Sequence, residues 1–329
     1  MSAELESRGG NGPLDPLFVE QLRRIAIEGQ ELPTVPCRII WLRDGRHRTA
    51  LIEAVDEEGD RVLFIKMRGT SQFLGDLTLG VERHVRAVIE AANSIGVYSS
   101  VPLIMGGDDD FLVFEGIPGA ASLAEHDLSV EPGTSARWAA ETMATLHRIP
   151  LLFAENLRPI RMPVPTYGSI TPDKMASGLG LNEHFLRLVQ ISPSLNDALR
   201  EASAEWCADT VVHGDFQVSN VLQLESDATR LFIVDWELSG IGDRHWDMAT
   251  LVASAYYRQI IMQRPPPTKW ISCAIAHYQH IAAYRLNERK LFAYTAAWLA
   301  LKTQVNIAFG VTPTKIDVES LFLAASIVG

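Results

Sequence analysis

Residues 213–220, HGDFQVSN, and residues 233–237, IVDWE, constrain this chain more than anything else in it. Each follows a short apolar run: Thr210, Val211 and Val212 before the first, and Leu231, Phe232, Ile233 and Val234 before the second. Runs of this length and composition read as short buried strands. A carboxylate, Asp215, and an amide five positions on, Asn220, therefore leave the end of one strand. A second carboxylate, Asp235, leaves the end of the other. A hydroxyl is a poor nucleophile, and a carboxylate aimed at its proton helps it attack. Asn220 and Asp235 offer the hard oxygen donors that Mg2+ takes. With the two strands adjacent, the groups at their mouths meet on one metal.

The step from Asp215 to Asn220 is the one found in kinase catalytic loops, where the Asp accepts the substrate hydroxyl proton and the Asn holds Mg2+. Together with VDWE, and with GIGDRHWDMA at 240–249 in which Asp247 opens a helix, the pair resembles the aminoglycoside phosphotransferase and choline kinase superfamily. The resemblance implies an α+β, two-lobed protein-kinase-like fold, with a small antiparallel-sheet N-lobe and a larger, mainly helical C-lobe. It implies that Asp215 is the base, that Asn220 and Asp235 hold Mg2+, and that His213 braces the loop. Asp247 is expected to anchor that loop by hydrogen bonds, and Glu237 to be a further metal or structural carboxylate. HGD lacks the arginine that reads an activation-loop phosphate, and no Ala-Pro-Glu follows, which sets eukaryote-like protein kinases aside.

The first third of the chain fits a nucleotide-binding lobe. Asp15 and Pro16 begin a capped helical pattern through Leu17, Phe18, Leu22 and Ile25. Strand patterns follow at 38–42, 50–55 and 61–66. Lys66, ending the third, occupies the place where a kinase lysine grips the α- and β-phosphates. A helix is expected over 79–93, with Val81, Val85, Val88, Ile89 and Ala92 at helical spacing. It offers Lys66 a carboxylate, with Glu82 preferred and Glu90 the competitor. A further hairpin at 101–105 and 111–115 leads to Gly116, Ile117, Pro118 and Gly119. By resemblance this is the hinge, where backbone groups from Glu115 to Ile117 meet the adenine edge. The phosphate-covering loop departs from the pattern: it has one glycine, Gly45, flanked by Arg43, Arg46, His47 and Arg48. Arginine side chains there would take over from backbone N–H groups, or else binding is weak or favours a nucleotide other than ATP.

These boundaries give a disordered tail at 1–14, a nucleotide-binding lobe at 15–116 and a catalytic, acceptor-binding lobe at 117–329. Beyond the hinge, 135–147 reads as an amphipathic helix ending on His147, taken as a packing histidine. Residues 151–200 are Pro-rich, then helical, and everything after Asp247 reads as helical. The composition, 47% hydrophobic and 21% charged, is that of a soluble globular protein, and no apolar run is long enough to span a membrane. No secretory signal is visible, and Cys37, Cys207 and Cys273 are too far apart for a disulfide framework, so a cytoplasmic protein with reduced packing cysteines is expected.

A net charge of −11 excludes nucleic acid as the main partner. The charge is uneven: residues 251–329 hold eight basic and three acidic side chains, leaving −16 for the first 250. A polycationic acceptor needs a carboxylate-lined pocket, because each ammonium must be paired to leave water. The expected reaction is transfer of the γ-phosphoryl of ATP (or GTP) to a hydroxyl of a small molecule that is not a polycation. Two rivals stand beside it: a tailoring enzyme that phosphorylates Ser or Thr of a ribosomally made precursor peptide, with a biosynthetic partner protein, and a non-catalytic kinase-like scaffold. Intact Asp215, Asn220 and Asp235 argue against the scaffold.

Overall fold

The computed structural model describes residues 37–43, 48–56, 59–67, 79–93, 104–107, 111–130, 133–160 and 193–308. The tail 1–14, the helix read over 15–25, the arginine-flanked loop at 44–47 and the stretches 161–192 and 309–329 lie outside them. The described residues fall into two compact units, one within Met1–Arg83 and Val101–Ala120, the other within His84–Ser100 and Ala121–Gly329.

In the first unit, β1 (Cys37–Arg43), β2 (Arg48–Asp56), β3 (Gly59–Met67), β4 (Ile104–Gly107) and β5 (Phe111–Glu115) form one sheet in the order β1-β2-β3-β5-β4, every pair antiparallel. Period-two alternation sets its faces. Ala50 and Ile52 on β2, and Leu63, Ile65 and Met67 on β3, are buried on one side. The opposite face of β3 carries Phe64 and Lys66. The Phe64 ring lies 6.0 Å from that of Phe114, its cross-strand partner. Strand β4 extends past the expected end at 105, through Gly106 and Gly107; pairing with Val113 and Leu112 carries the strand across two residues that have no side chain to alternate. After this sheet's third strand, α1 (Leu79–Asn93) forms over the expected span; Leu79–Arg83 belong to this unit, and the remainder, with Val85, Val88, Ile89 and Ala92 buried, to the second.

In the second unit, β6 (Ala120–Ser122), β8 (Val221–Leu224) and β9 (Asp227–Ile233) make a three-stranded sheet, while β7 (Thr210–Val212) pairs with β10 (Gly240–Gly242). The two motif-bearing strands are thus not neighbours, contrary to the sequence expectation. Residues 213–220 pass from one sheet to the other, and the β8–β9 hairpin returns Asp235 to Asn220: Val221 pairs with Ile233 in that ladder. Around these sheets pack α2 (Thr134–Leu146) on α5 (Thr268–Ala282), and α3 (Pro193–Ala204) and α4 (Arg244–Ile261) on α6 (Glu288–Ala308). α4 buries Trp246, Met248, Leu251, Val252 and Ala253 among others, the mark of a core helix rather than a surface one. Cys273 is half-buried and Cys207 exposed, so the packing role expected of the cysteines fails for Cys207. No helix of the described residues is long and apolar enough to cross a membrane.

Candidate active site

The loop after β7 is seated on a buried carboxylate. Asp243 caps α4, its side chain accepting from the His245 N–H, and this places Asp247 in the first turn, fully buried. Asp247 Oδ2 accepts the His213 N–H at 2.8 Å, and Oδ1 accepts the Gly214 N–H at 2.9 Å. His147 Nε2 lies 3.1 Å from Oδ2, while its Nδ1 meets the Tyr278 hydroxyl at 2.7 Å. Three donors satisfy an acceptor-only group. Burial raises the Tyr278 hydroxyl above the ordinary tyrosine range, so it stays protonated and donates to His147. His147 is accordingly a buried brace behind the loop. Gly214 adopts φ 81°, and a Cβ there would lie 2.2 Å from the Leu238 carbonyl oxygen. Only glycine fits.

His213 ties the two motifs together. Its Nδ1 accepts the Asp215 N–H at 3.2 Å, which leaves Nε2–H to donate to the Val234 carbonyl at 3.0 Å. The Val234 N–H in turn donates to the Asn220 carbonyl at 3.0 Å. The residue before Asp235 is therefore clamped on both sides by the loop that carries Asp215 and Asn220. Asp235 itself sits at φ 68°, ψ 58°, a left-handed conformation that costs a non-glycine residue about 1–2 kcal/mol. The turn that follows holds it: Trp236 is buried, donates Nε1–H to the Ile233 carbonyl at 2.9 Å, and lies 4.5 Å from the His213 ring. Such strain, kept by its surroundings, is a pointer to function.

Asp215 is half-buried. Its Oδ2 accepts from Gln217 Nε2 at 2.8 Å and from Asn220 Nδ2 at 3.2 Å. Burial and then the nearby Asp235 charge push its carboxyl above the ordinary carboxylate range, against the opposing pull of His213, Gln217 and Lys302. A raised, oriented carboxylate suits proton acceptance. Among the described residues no cluster of three or more His, Cys, Asp or Glu side chains could cage a metal. The donor set is instead one carboxamide and one or two carboxylates. That suits Mg2+, which takes few protein oxygens and completes its shell with water and substrate phosphates. Glu237 is buried directly after the strained turn.

In the first unit Lys66 is 4% exposed, and its Nζ pairs with Glu82 Oε2 at 3.0 Å. Glu90 is exposed and is not the partner. At the end of β5, the Gly116 N–H donates to the Val62 carbonyl at 2.7 Å, and Glu115 pairs opposite Leu63. On an antiparallel ladder successive residues turn their backbone groups to opposite sides. Gly116 is engaged by β3, so the Glu115 backbone groups face away from it. Gly116 also has no room for a Cβ, which would lie 2.6 Å from the Val62 oxygen.

Three contributors escaped the sequence reading. Gln217 sits inside the motif without a residue-type signal, Tyr278 lies 131 positions from its partner His147, and Asp243 was passed over as a cap in favour of Asp247.

A family model described as a phosphotransferase enzyme family matches residues 82–268. No curated protein matches the chain by sequence. Solved structures similar to it include a choline/ethanolamine kinase family protein from Mesorhizobium loti, 17% identical with a TM-score of 0.59, covering 94% of each chain. The choline kinase LicA from Streptococcus pneumoniae is 14% identical with a TM-score of 0.59, over 94% of this chain and 99% of that one. An aminoglycoside 2'-phosphotransferase-IIIa solved with GDP is 16% identical with a TM-score of 0.55, over 94% and 97%. The shared architecture is the kinase-like α+β fold.

Proposed function

Since the chain belongs to the phosphotransferase enzyme family, we propose that it moves the γ-phosphoryl of ATP, or GTP, to a hydroxyl of a small molecule that is not a polycation. One observation carries the reading: Asp215, Asn220 and Asp235 are drawn together by the Val234 clamp, with Asp215 held on one oxygen. Asp215 takes the proton of the acceptor's hydroxyl as that hydroxyl oxygen bonds to the γ-phosphorus, and the nucleoside diphosphate leaves with the electron pair of the broken P–O bond. Asn220 and Asp235 would hold Mg2+, which would neutralise phosphate charge. Lys66, aimed by Glu82, binds phosphate, and backbone groups of Glu115 and Ile117 take the adenine edge. His213 holds the loop and does not react. The lobes are read as 15–116 for nucleotide and 117–329 for catalysis and acceptor.

Of the eight basic residues beyond 250, Arg264 pairs with Asp127, Arg289 with Glu201 and Lys290 with Asp243. Much of the positive excess therefore answers carboxylates elsewhere in the unit. The Lys302 ammonium lies 6.0 Å from the Tyr257 ring, and its charge lowers the Asp215 carboxyl, the smallest of the effects acting there. A cation whose charge reaches the base disfavours a polycationic acceptor and favours a neutral or acidic one. Calorimetry with ATP and GTP, with and without Mg2+, tests the donor. A turnover panel of kanamycin-type compounds, neutral alcohols, hydroxy acids and Ser/Thr peptides tests the acceptor. Kanamycin-type turnover at a kcat/KM of about 10⁴ M⁻¹s⁻¹ or better overturns the acceptor class. No Mg2+-dependent nucleotide binding overturns the phosphotransferase reading itself.

A further inference from the structure

The carboxylate of Asp215 is held asymmetrically. Both side-chain donors that reach it converge on Oδ2: Gln217 Nε2 at 2.8 Å and Asn220 Nδ2 at 3.2 Å. Oδ1 accepts no hydrogen bond from a described residue. Asn220 also donates to the Asp215 backbone carbonyl at 3.0 Å. The Gln217 backbone is fixed in the same turn, its N–H donating to the Asp215 carbonyl and its carbonyl accepting the Asn220 N–H, both at 2.8 Å. The Gln217 side chain therefore leaves from a backbone bound at both ends. Because an ionised carboxylate only accepts, Gln217 must present its NH2 group there.

A carboxylate with one donor pivots about its Cβ–Cγ bond. Two donors on one oxygen fix the plane and leave the other oxygen's lone pairs for a proton. Asn220 cannot do this alone while also holding a metal through Oδ1, since rotating its amide toward the metal weakens the longer 3.2 Å bond. The shorter bond, at 2.8 Å, comes from Gln217. We infer that Gln217 is the positioning residue of the catalytic base, occupying Oδ2 so that Oδ1 receives the acceptor's proton as the O–P bond forms. This inference rests on the phosphotransferase reading of the same loop.

The test follows phosphoryl transfer from MgATP to water, as ADP release, in the full chain and in Gln217→Met, Gln217→Lys, Asp215→Asn and the Asp215→Asn/Gln217→Met double variant. Methionine keeps the length and removes the donor, while lysine restores one. Gln217→Met should lower kcat about tenfold, the order of loss from a modest misplacement of a catalytic group, with the ATP KM, the calorimetric MgATP affinity and the thermal midpoint unchanged. Gln217→Lys should recover at least half of the lost rate. The double variant should be no slower than Asp215→Asn, because a residue acting only through Asp215 has nothing left to act on. Additive losses, or a raised KM with kcat unchanged, overturn the inference and make Gln217 a substrate contact. If Gln217→Met keeps kcat within threefold while Asp215→Asn is inactive, the inference falls and the phosphotransferase reading stands. If Asp215→Asn keeps full rate, the reading of the loop itself has failed.

Discussion

Asp215 is where folding and chemistry disagree. Burial and Asp235 raise its pKa in the fold, so the native state binds that proton more tightly than the unfolded chain does. Its ionised form therefore weakens the fold, and the cost sets in as pH rises from the ordinary carboxylate value, about 3.9, through the raised one. Asp215→Asn should raise the thermal midpoint at neutral pH while cutting turnover by about 10² or more with nucleotide affinity retained. A lowered midpoint, or turnover within threefold of the parent, contradicts this. Because the base must be ionised, the acid limb of kcat/KM should lie above the ordinary carboxylate range. The limb of kcat should lie lower if, as proposed, Asp235 holds Mg2+ in the complex, because the ion would offset its charge. Coincident limbs would remove Asp235 from the metal site. Asp243 has the opposite sign. Burial alone would raise it, but bonds from His245, Lys290 and the Cys207 N–H hold it well below the ordinary range. Its contribution is present above the unfolded value and is lost as pH falls toward the folded one. Asp243→Asn should cost about 3–5 kcal/mol in urea unfolding at pH 7, with the gap closing in acid; a gap independent of pH refutes the assignment.

At the scale of elements, Lys66 and Glu82 join a strand to the helix after it. A buried ion pair is expensive to break, because the partner left behind keeps its charge out of water. Glu82→Ala should therefore weaken both stability and MgATP affinity, whereas Glu90→Ala should change neither; equal effects in titration calorimetry would erase the distinction. These elements were legible because their signals are local. Alternation over 61–66 and helical spacing over 79–93 mark the strand and the helix, and the resemblance to kinases implies the pairing of Lys66 with Glu82. The strand neighbours were not legible. β7 and β9 each look like a strand feeding a motif, but ladder order depends on loop paths and on which edge the hairpin offers, and neither leaves a periodic trace. The Asp243 cap was missed for a related reason. Asp243 and Asp247 both suit the first turn, and only the N–H groups of His213, Gly214 and His245 decide which carboxylate caps and which supports the loop. Gln217 had a motif but no chemistry until the carboxylate beside it had an orientation.

For the whole molecule, three of the eight basic residues beyond 250 answer carboxylates within the helical unit, and the charge of Lys302 reaches Asp215. Expression of the chain in a susceptible bacterium should leave the inhibitory concentration of kanamycin-type antibiotics unchanged, and a rise of several-fold would contradict the acceptor class. Lys302→Glu should slow acidic acceptors more than neutral ones in competition assays, and equal slowing would make Lys302 structural. The segment bearing Asp235 is attached at Val234 to both Asn220 and His213. An inhibitor that captures this segment swung outward must first break both bonds, a penalty of about 1–3 kcal/mol at ordinary net hydrogen-bond values. Ligands of that kind are therefore poor starting points for blocking this protein, and scaffolds that accept the inward segment as it stands begin with a roughly 5- to 150-fold advantage in affinity.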